Sequence, residues 1–124
     1  MTTRLTELRR AGIIERLPRL FAAQAANICP VYLAYERYDT DVPAMAASRP
    51  TLAEGIALPC PVRGVALLQA LRETKGGVTA VSEDEIREGL VFLGRRGICV
   101  EPTSAVVVKA RPAAECRRAG SSGP

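Results

Sequence analysis

The stretch from Val78 to Gly97 constrains the fold most, because it places a short strand directly ahead of a well-capped helix. Residues 78–81 are β-prone. Ser82 and Glu85 have the spacing of a capping box, in which each side chain bonds the other residue's backbone N–H. Apolar residues then recur at helical spacing and predict a buried stripe: Ile86, Leu90 and Leu93. Gly97 predicts where this helix stops.

The rest of the chain repeats the alternation of helix and strand. Helices are predicted over residues 3–11, 27–35, 65–71 and 101–109, with Asn27 opening the second and Gly76–Gly77 ending the third. Short buried strands are predicted at residues 20–23 and 98–100. The alternation predicts an α/β layer architecture. Residues 110–124 show no apolar periodicity and are expected to be a disordered tail.

The absence of histidine among the 124 residues limits the chemistry. Ser-His-Asp and Cys-His catalysis and imidazole metal ligands are excluded. The four cysteines have long, irregular spacings, so no metal site is predicted: Cys29, Cys60, Cys99 and Cys116.

Charge and hydropathy narrow the class of partner. The net charge is +4 without a basic stripe, and aromatic residues make up 4%, which argues against nucleic-acid binding. The N-terminal residues lack the apolar run of a secretory signal, and the longest uncharged stretch is too short to span a bilayer. We therefore expect a cytoplasmic protein that binds neither nucleic acid nor membrane.

Two carboxylates stand out in apolar surroundings. A site without histidine needs carboxylates, a lysine, a thiolate or a bound cofactor. Glu54 and Glu101 are costly to bury unless a partner stabilises them. Each is therefore either functional or a partly exposed or capping carboxylate. The residues alone assign no catalytic group.

Four blocks of the chain resemble the pyridoxal-phosphate-dependent threonine synthases, which are fold type II enzymes. Residues 51–64 contain the Ala-Glu-Gly-Ile run followed by Pro-Val-Arg, and residues 97–105 contain Gly-Ile-Cys-Val-Glu-Pro-Thr-Ser-Ala. Residues 76–86 resemble the family's glycine, strand and acidic helix start, and residues 17–24 its strand ending in Gln. Threonine and serine dehydratases share this pattern more loosely.

The resemblance implies that residues 1–109 are an incomplete part of a large domain, an open twisted sheet with flanking helices. It implies pyridoxal phosphate as cofactor, with Glu54 and Gly55 lining its ring and Glu101 and Ser104 near the floor of the active site. The family reaction belongs to amino-acid biosynthesis. It is a carbon–oxygen lyase reaction that converts O-phosphohomoserine to threonine, with the cofactor as electron sink.

Parts of the family pattern have no counterpart in this chain. The Schiff-base lysine and the phosphate-cup glycines are missing; Lys75 lies in a polar turn and Lys109 closes a helix. Residues 110–124 resemble a reading-frame change or an unrelated end. We therefore expect the chain alone to be inactive and to bind pyridoxal phosphate weakly or not at all.

The expected partner is a complementary N-terminal fragment or a second copy of the chain. Two alternatives remain open. One is a small α/β regulatory or protein-binding module derived from such an enzyme, and the other is a fragment of a dehydratase-like lyase.

Overall fold

The structure, a computed structural model, describes residues 2–110, with side chains from residue 4 onward. Its elements follow in the order α1 (Thr2–Arg10), β1 (Phe21–Ala25), α2 (Pro30–Glu36), a 3-10 turn (Glu54–Ile56), α3 (Gly64–Glu73), β2 (Gly77–Val81), α4 (Glu83–Gly94) and α5 (Pro102–Lys109). Helices lie before, between and after two parallel strands, so the α/β class is confirmed. The disorder expected for residues 110–124 falls almost entirely outside the described residues.

The sheet is a parallel pair in which Phe21 lies opposite Gly77 and Ala25 opposite Val81. One further hydrogen bond flanks the ladder at each end, from Gly77 N to the Leu20 carbonyl (3.1 Å) and from Ala26 N to the Val81 carbonyl (2.9 Å). Because bonding residues alternate along a parallel ladder, the even-numbered residues of β1 face β2. The backbone groups of Phe21 and Ala23 therefore face away from β2, along the outer edge of β1.

Helices cover both faces of this pair. Val78 and Val81 of β2 point to opposite sides of the strand, so each contributes to a different buried cluster. On one face α2 and α3 contribute to a buried cluster of Val31, Ala34, Val42, Leu68, Leu71 and Val78. On the other face α4 and α5 contribute to a second cluster of Ala25, Ala53, Val81, Ile86 and Val106. The carboxyl ends of both strands lie between these two layers, which is where the candidate site forms.

The predicted capping box starts α4. Ser82 Oγ accepts a hydrogen bond from Glu85 N (3.3 Å), and a carboxylate oxygen of Glu85 accepts from Ser82 N (2.9 Å). Helix α4 ends at Gly94, before the predicted Gly97, and Gly97 follows with φ of 75°, a left-handed conformation that glycine adopts without strain. Ile86 is fully buried, but Leu90 and Leu93 are only half-buried, so the buried stripe is narrower than predicted.

The prediction that Asn27 opens a helix is wrong. Helix α2 begins at Pro30, and the preceding residue, Cys29, makes no side-chain cap. Instead, the side chain of Gln24, near the end of β1, contacts the first turn of α2, where its Oε1 accepts a hydrogen bond from Tyr32 N (3.0 Å). Gln24 thus satisfies an otherwise free N–H of the first helical turn, which leaves the Asn27 side chain for the contacts described below.

The predicted strand at residues 98–100 is also wrong. Ile98 is 49% exposed, Cys99 is exposed, and no strand among residues 2–110 lies beside them. An apolar triplet becomes a strand only when another strand pairs with it, and here the triplet is a connection without regular secondary structure between α4 and α5. Helix α3 ends at Glu73, before the predicted Gly76–Gly77. None of the helices that the structure describes is long and apolar enough to cross a membrane.

Candidate functional site

The turn Glu54–Ile56 packs closely against the first turn of α5 at Gly55. A Cβ atom added to Gly55 would lie 2.9 Å from Thr103 Oγ1, closer than van der Waals contact permits. This contact brings together two sequence blocks, residues 51–64 and residues 97–105. Sequence reasoning did not single out Thr103, although it lies in the same block as Glu101 and Ser104.

The core and a local hydrogen bond hold the approach to this turn. Ala53 is completely buried in the cluster that contains Val81 and Val106. Its N–H donates to Thr51 Oγ1 (3.2 Å), and Thr51 is itself buried. The Ala53 carbonyl then accepts from Ile56 N (3.1 Å), which closes the turn. The position of Gly55 therefore depends on the chain immediately before it.

A bridge of polar groups links the same loop to the carboxyl ends of both strands. Glu83, the first residue of α4, accepts a hydrogen bond from Leu52 N through Oε2 (2.9 Å). Its Oε1 accepts from Asn27 Nδ2 (3.4 Å), and this amide nitrogen also donates to the Pro50 carbonyl (2.8 Å). The side chain of Asn27, whose predicted role was wrong, thus connects the end of β1 to the loop.

An apolar cavity of about 200 Å³ adjoins the turn. Its lining includes Gln24 at the end of β1, Gly55 and Ile56 of the turn, and Leu67 of α3, but no residue of β2. A larger groove of about 640 Å³ lies between residues 41–44 and the start of α3, but it holds none of the sequence-predicted site residues. The smaller cavity is therefore the one that the turn Glu54–Ile56 helps to line.

All four sequence-predicted site residues are exposed: Glu54, Gly55, Glu101 and Ser104. Glu54 begins the turn, and Glu101 directly precedes α5 without capping it through its side chain. Both glutamates are therefore exposed carboxylates, one of the interpretations the sequence left open, and neither needs a partner to offset burial. The structure brings the turn and the start of α5 together through Gly55 and Thr103. Their contact with a cofactor remains a prediction.

Two titratable groups near this end of the sheet are perturbed. Burial raises the pKa of the Cys29 thiol, which donates to the Ala26 carbonyl (3.4 Å), so this cysteine stays protonated and unreactive at neutral pH. Hydrogen bonds from the backbone and hydroxyl of Ser82 lower the pKa of Glu85. Both shifts follow from local structure and neither supplies a nucleophile.

Neither lysine lies at the turn. Lys75 directly precedes Gly76 and β2, and its carbonyl accepts from Arg19 Nε (2.8 Å), so it stands at the opposite end of strands that are about 17 Å long. Lys109 ends α5, about 12 Å along the helix axis from Glu101. Its Nζ is bonded to Glu88 Oε2 (2.7 Å).

These positions decide how well the described residues suit pyridoxal phosphate. The glycine turn and the polar start of α5 suit one wall of a site for a flat ring. Neither described lysine is placed to form a Schiff base there, and residues 2–110 contain no glycine-rich loop for a phosphate. The described residues therefore fit one wall of the cofactor site and do not complete it.

Comparisons with known proteins give a consistent result. Residues 4–123 match the family model described as pyridoxal-phosphate dependent enzyme. Threonine synthase 2, chloroplastic, from Arabidopsis thaliana is 31% identical over 100 residues, which are 80% of this chain and 19% of that protein. Threonine synthase from Methanocaldococcus jannaschii is 34% identical over 101 residues, 80% of this chain and 24% of that protein. The chain thus spans about a fifth to a quarter of these relatives.

Solved structures share the fold. The threonine deaminase of T.th. superposes with a TM-score of 0.63 at 20% identity, covering 97% of this chain and 40% of that one. Serine racemase from Dictyostelium discoideum superposes with a TM-score of 0.58 at 22% identity, covering 85% of this chain and 31% of that one. The expected fold, part of a larger α/β domain, is confirmed.

Proposed function

The chain belongs to the family of pyridoxal-phosphate-dependent enzymes, and we propose that it is the part of a threonine-synthase-like fold that forms one wall of the cofactor cleft. The family match confirms the resemblance found in the four sequence blocks. The contact between Gly55 and Thr103 carries the proposal, because it joins two of those blocks beside a cavity that is lined by residues 22–24 and extends toward the carboxyl end of β1. Open α/β sheets bind ligands at this end of their strands.

In this proposal Glu54 and Gly55 face the cofactor ring, and Glu101 and Ser104 lie at the floor of the cleft. Their exposure supports these roles, since a flat ligand needs accessible backbone and polar groups. When bound, pyridoxal phosphate supplies an electron sink for carbon–oxygen bond cleavage. The complete assembly would convert O-phosphohomoserine to threonine in the cytoplasm. The free thiols of Cys29, Cys60 and Cys99 support that location.

The chain by itself is catalytically inactive in this proposal. The positions of Lys75 and Lys109, far from the turn, support it. The missing wall comes from a complementary polypeptide that carries the Schiff-base lysine and the phosphate-binding glycines. That polypeptide would pair with the outer edge of β1, where the backbone of Ala23 faces away from β2. Leu58, which lines the cavity, is 57% exposed, and Val62, which lines the larger groove, is 99% exposed; both would be covered by this partner.

Titration with pyridoxal phosphate, followed by absorbance and by borohydride trapping, tests the inactive state. We expect no saturable binding by the chain alone and no covalent trapping at Lys75 or Lys109. Lys75→Arg and Lys109→Arg variants are the controls. Trapping that persists in both variants identifies nonspecific surface labelling. Saturable binding that is lost in one of these variants would show that the chain completes its own site and would contradict the proposal.

Mixing tests the complementary partner. The probe is the part of the M. jannaschii threonine synthase that precedes its matching region, added to this chain with pyridoxal phosphate. We expect a one-to-one complex that binds the cofactor, and Ala23→Pro should weaken the complex because proline removes the outward N–H of β1. Ala23→Val, which keeps that N–H, is the matched control. A homodimer whose mass is unchanged by the probe would favour self-association instead.

A dehydratase-like lyase is the second candidate, because the T.th. threonine deaminase covers nearly the whole chain. Supplying the complemented assembly with O-phosphohomoserine or with threonine distinguishes the two reactions by their products. A third candidate, a free-standing regulatory module, predicts a monomer with a concentration-independent thermal transition. Sedimentation and melting at several protein concentrations test it.

A further inference from the structure

Glu83 connects three separate parts of the fold through one carboxylate. It begins α4 and is half-buried, whereas Asp84 and Glu85 after it are exposed. One oxygen accepts from Leu52 N at 2.9 Å and the other from Asn27 Nδ2 at 3.4 Å. The carboxylate thus joins α4, the chain beyond β1 and the loop that leads to the glycine turn.

The two acidic neighbours of Glu83 form their hydrogen bonds within the first turns of α4 and its cap. Asp84 is paired with Arg87 in the next turn of the same helix (3.0 Å), and its side chain is 91% exposed. Glu85 completes the capping box with Ser82. All three acids interact favourably with the dipole of α4. That interaction therefore does not explain why Glu83 alone of the three bonds the loop.

The bond from Leu52 fixes the chain immediately ahead of its entry into the core. Ala53, the next residue, is completely buried, and Gly55 follows two positions later. Ser48 also ties the loop to this bridge, since its N–H (2.9 Å) and Oγ (3.1 Å) both bond the Asn27 carbonyl. Without Glu83 the Leu52 N–H loses its charged acceptor. The approach to the turn then depends on the burial of Ala53, its bond to Thr51 and the bond from Asn27 to the Pro50 carbonyl.

We propose that Glu83 is a positioning residue that sets where Gly55 stands against Thr103, and thereby sets the shape of the cofactor-facing wall. The inference rests on the proposed function for the meaning of that wall. The geometry itself is independent of the cofactor, so it is tested on the chain without any ligand.

Hydrogen–deuterium exchange read by mass spectrometry tests the role in Glu83→Ala. The full chain is compared in a peptide spanning residues 50–58 and in a reference peptide spanning β2. A hydrogen bond to a charged group protects its amide, so we expect exchange in residues 50–58 to accelerate about tenfold or more, with β2 changed less than about threefold. Asp84→Ala is the matched control, because it removes the same charge from the same helical turn without touching the loop.

Glu83→Gln keeps an oxygen that can accept from Leu52 N, so it should restore most of the protection lost in Glu83→Ala. It also keeps the test decisive if the alanine variant does not fold. Asn27→Ala removes the bonds to Glu83 and to the Pro50 carbonyl but leaves the Leu52 N–H bonded to Glu83, so it should accelerate the same peptide by a smaller factor. Equal acceleration by Glu83→Ala and Asp84→Ala, or equal acceleration in both peptides, would overturn the inference. So would unchanged exchange in residues 50–58.

Discussion

Two glycines in α4 allow a sharp test of how closely this helix packs against α5. A Cβ atom added to Gly89 would lie 2.8 Å from the carbonyl oxygen of Ala105, a backbone atom that cannot rotate away. A Cβ atom added to Gly94 in the same helix would meet nothing within 4 Å. Substitution by alanine should therefore destabilise the chain at Gly89 but not at Gly94.

The magnitude follows from two opposing effects. Overpacking a close contact lowers the free energy of unfolding by about 1–3 kcal/mol. Replacing glycine by alanine inside a helix raises it by up to about 1 kcal/mol. We expect Gly89→Ala to lower the free energy of unfolding by about 1–2 kcal/mol. Gly94→Ala, at the last turn, should leave it unchanged or raise it by a few tenths of a kcal/mol.

Thermal and urea unfolding followed by far-ultraviolet circular dichroism measure both variants. For a domain of this size 1 kcal/mol corresponds to about 4–8 °C, so Gly89→Ala should melt about 4–16 °C below the parent chain. A Gly89→Ala variant as stable as Gly94→Ala would refute the reasoning, because α4 and α5 could not then be in contact at Ala105.

Two further predictions concern the turn and the capping box. Gly55→Ala should destabilise the chain by about 1 kcal/mol, and Thr103→Ala should recover most of that loss in a double-mutant cycle by urea unfolding. A coupling energy within about 0.3 kcal/mol of zero would contradict the contact. Because Ser82 holds the pKa of Glu85 low, the charged form of Glu85 adds stability above its unfolded pKa of about 4.3, and this stability is lost as the pH falls through the lower folded pKa. The difference in unfolding free energy between the parent chain and Glu85→Gln should therefore shrink below about pH 4.3, and a difference that is constant from neutral to acidic pH would count against this linkage.

The features that the sequence predicted correctly depend on neighbours along the chain. The capping box needs two residues three positions apart, and both can be identified without knowing the fold. Gly97 likewise follows a helix end through its own backbone conformation. The strand at 78–81 and the helix from Pro102 to Lys109 carry their periodicity and start signals within a few residues.

The features that the sequence missed depend on distant partners. Gln24 bonds Tyr32 from 8 positions away and Glu83 bonds Leu52 from 31 positions away. Nothing in the local pattern distinguishes Glu83 from Asp84, so the sequence did not indicate that Glu83 bonds the loop. The strand prediction for residues 98–100 was wrong for the same reason, since an apolar triplet forms a strand only where the fold places another strand beside it.

The site itself was reached by resemblance more than by residue chemistry. Glu54, Gly55, Glu101 and Ser104 were identified from blocks shared with a family, and the structure brings those blocks together at Gly55. Thr103 carries no charge and its small side chain produces no periodic signal. Its role became visible only when the separation between the turn and α5 was known.

The pairing of β1 with β2 has a kinetic consequence. Each residue of β1 pairs with one 56 positions later, so the ladder can form only after a long segment of chain has closed into a loop. By contrast, α4 and α5 are joined by a short connection and can meet early. Folding of this chain should therefore begin with α4 and α5 and finish slowly with the pairing of the strands. Until the strands pair, their apolar surface stays exposed and prone to aggregation.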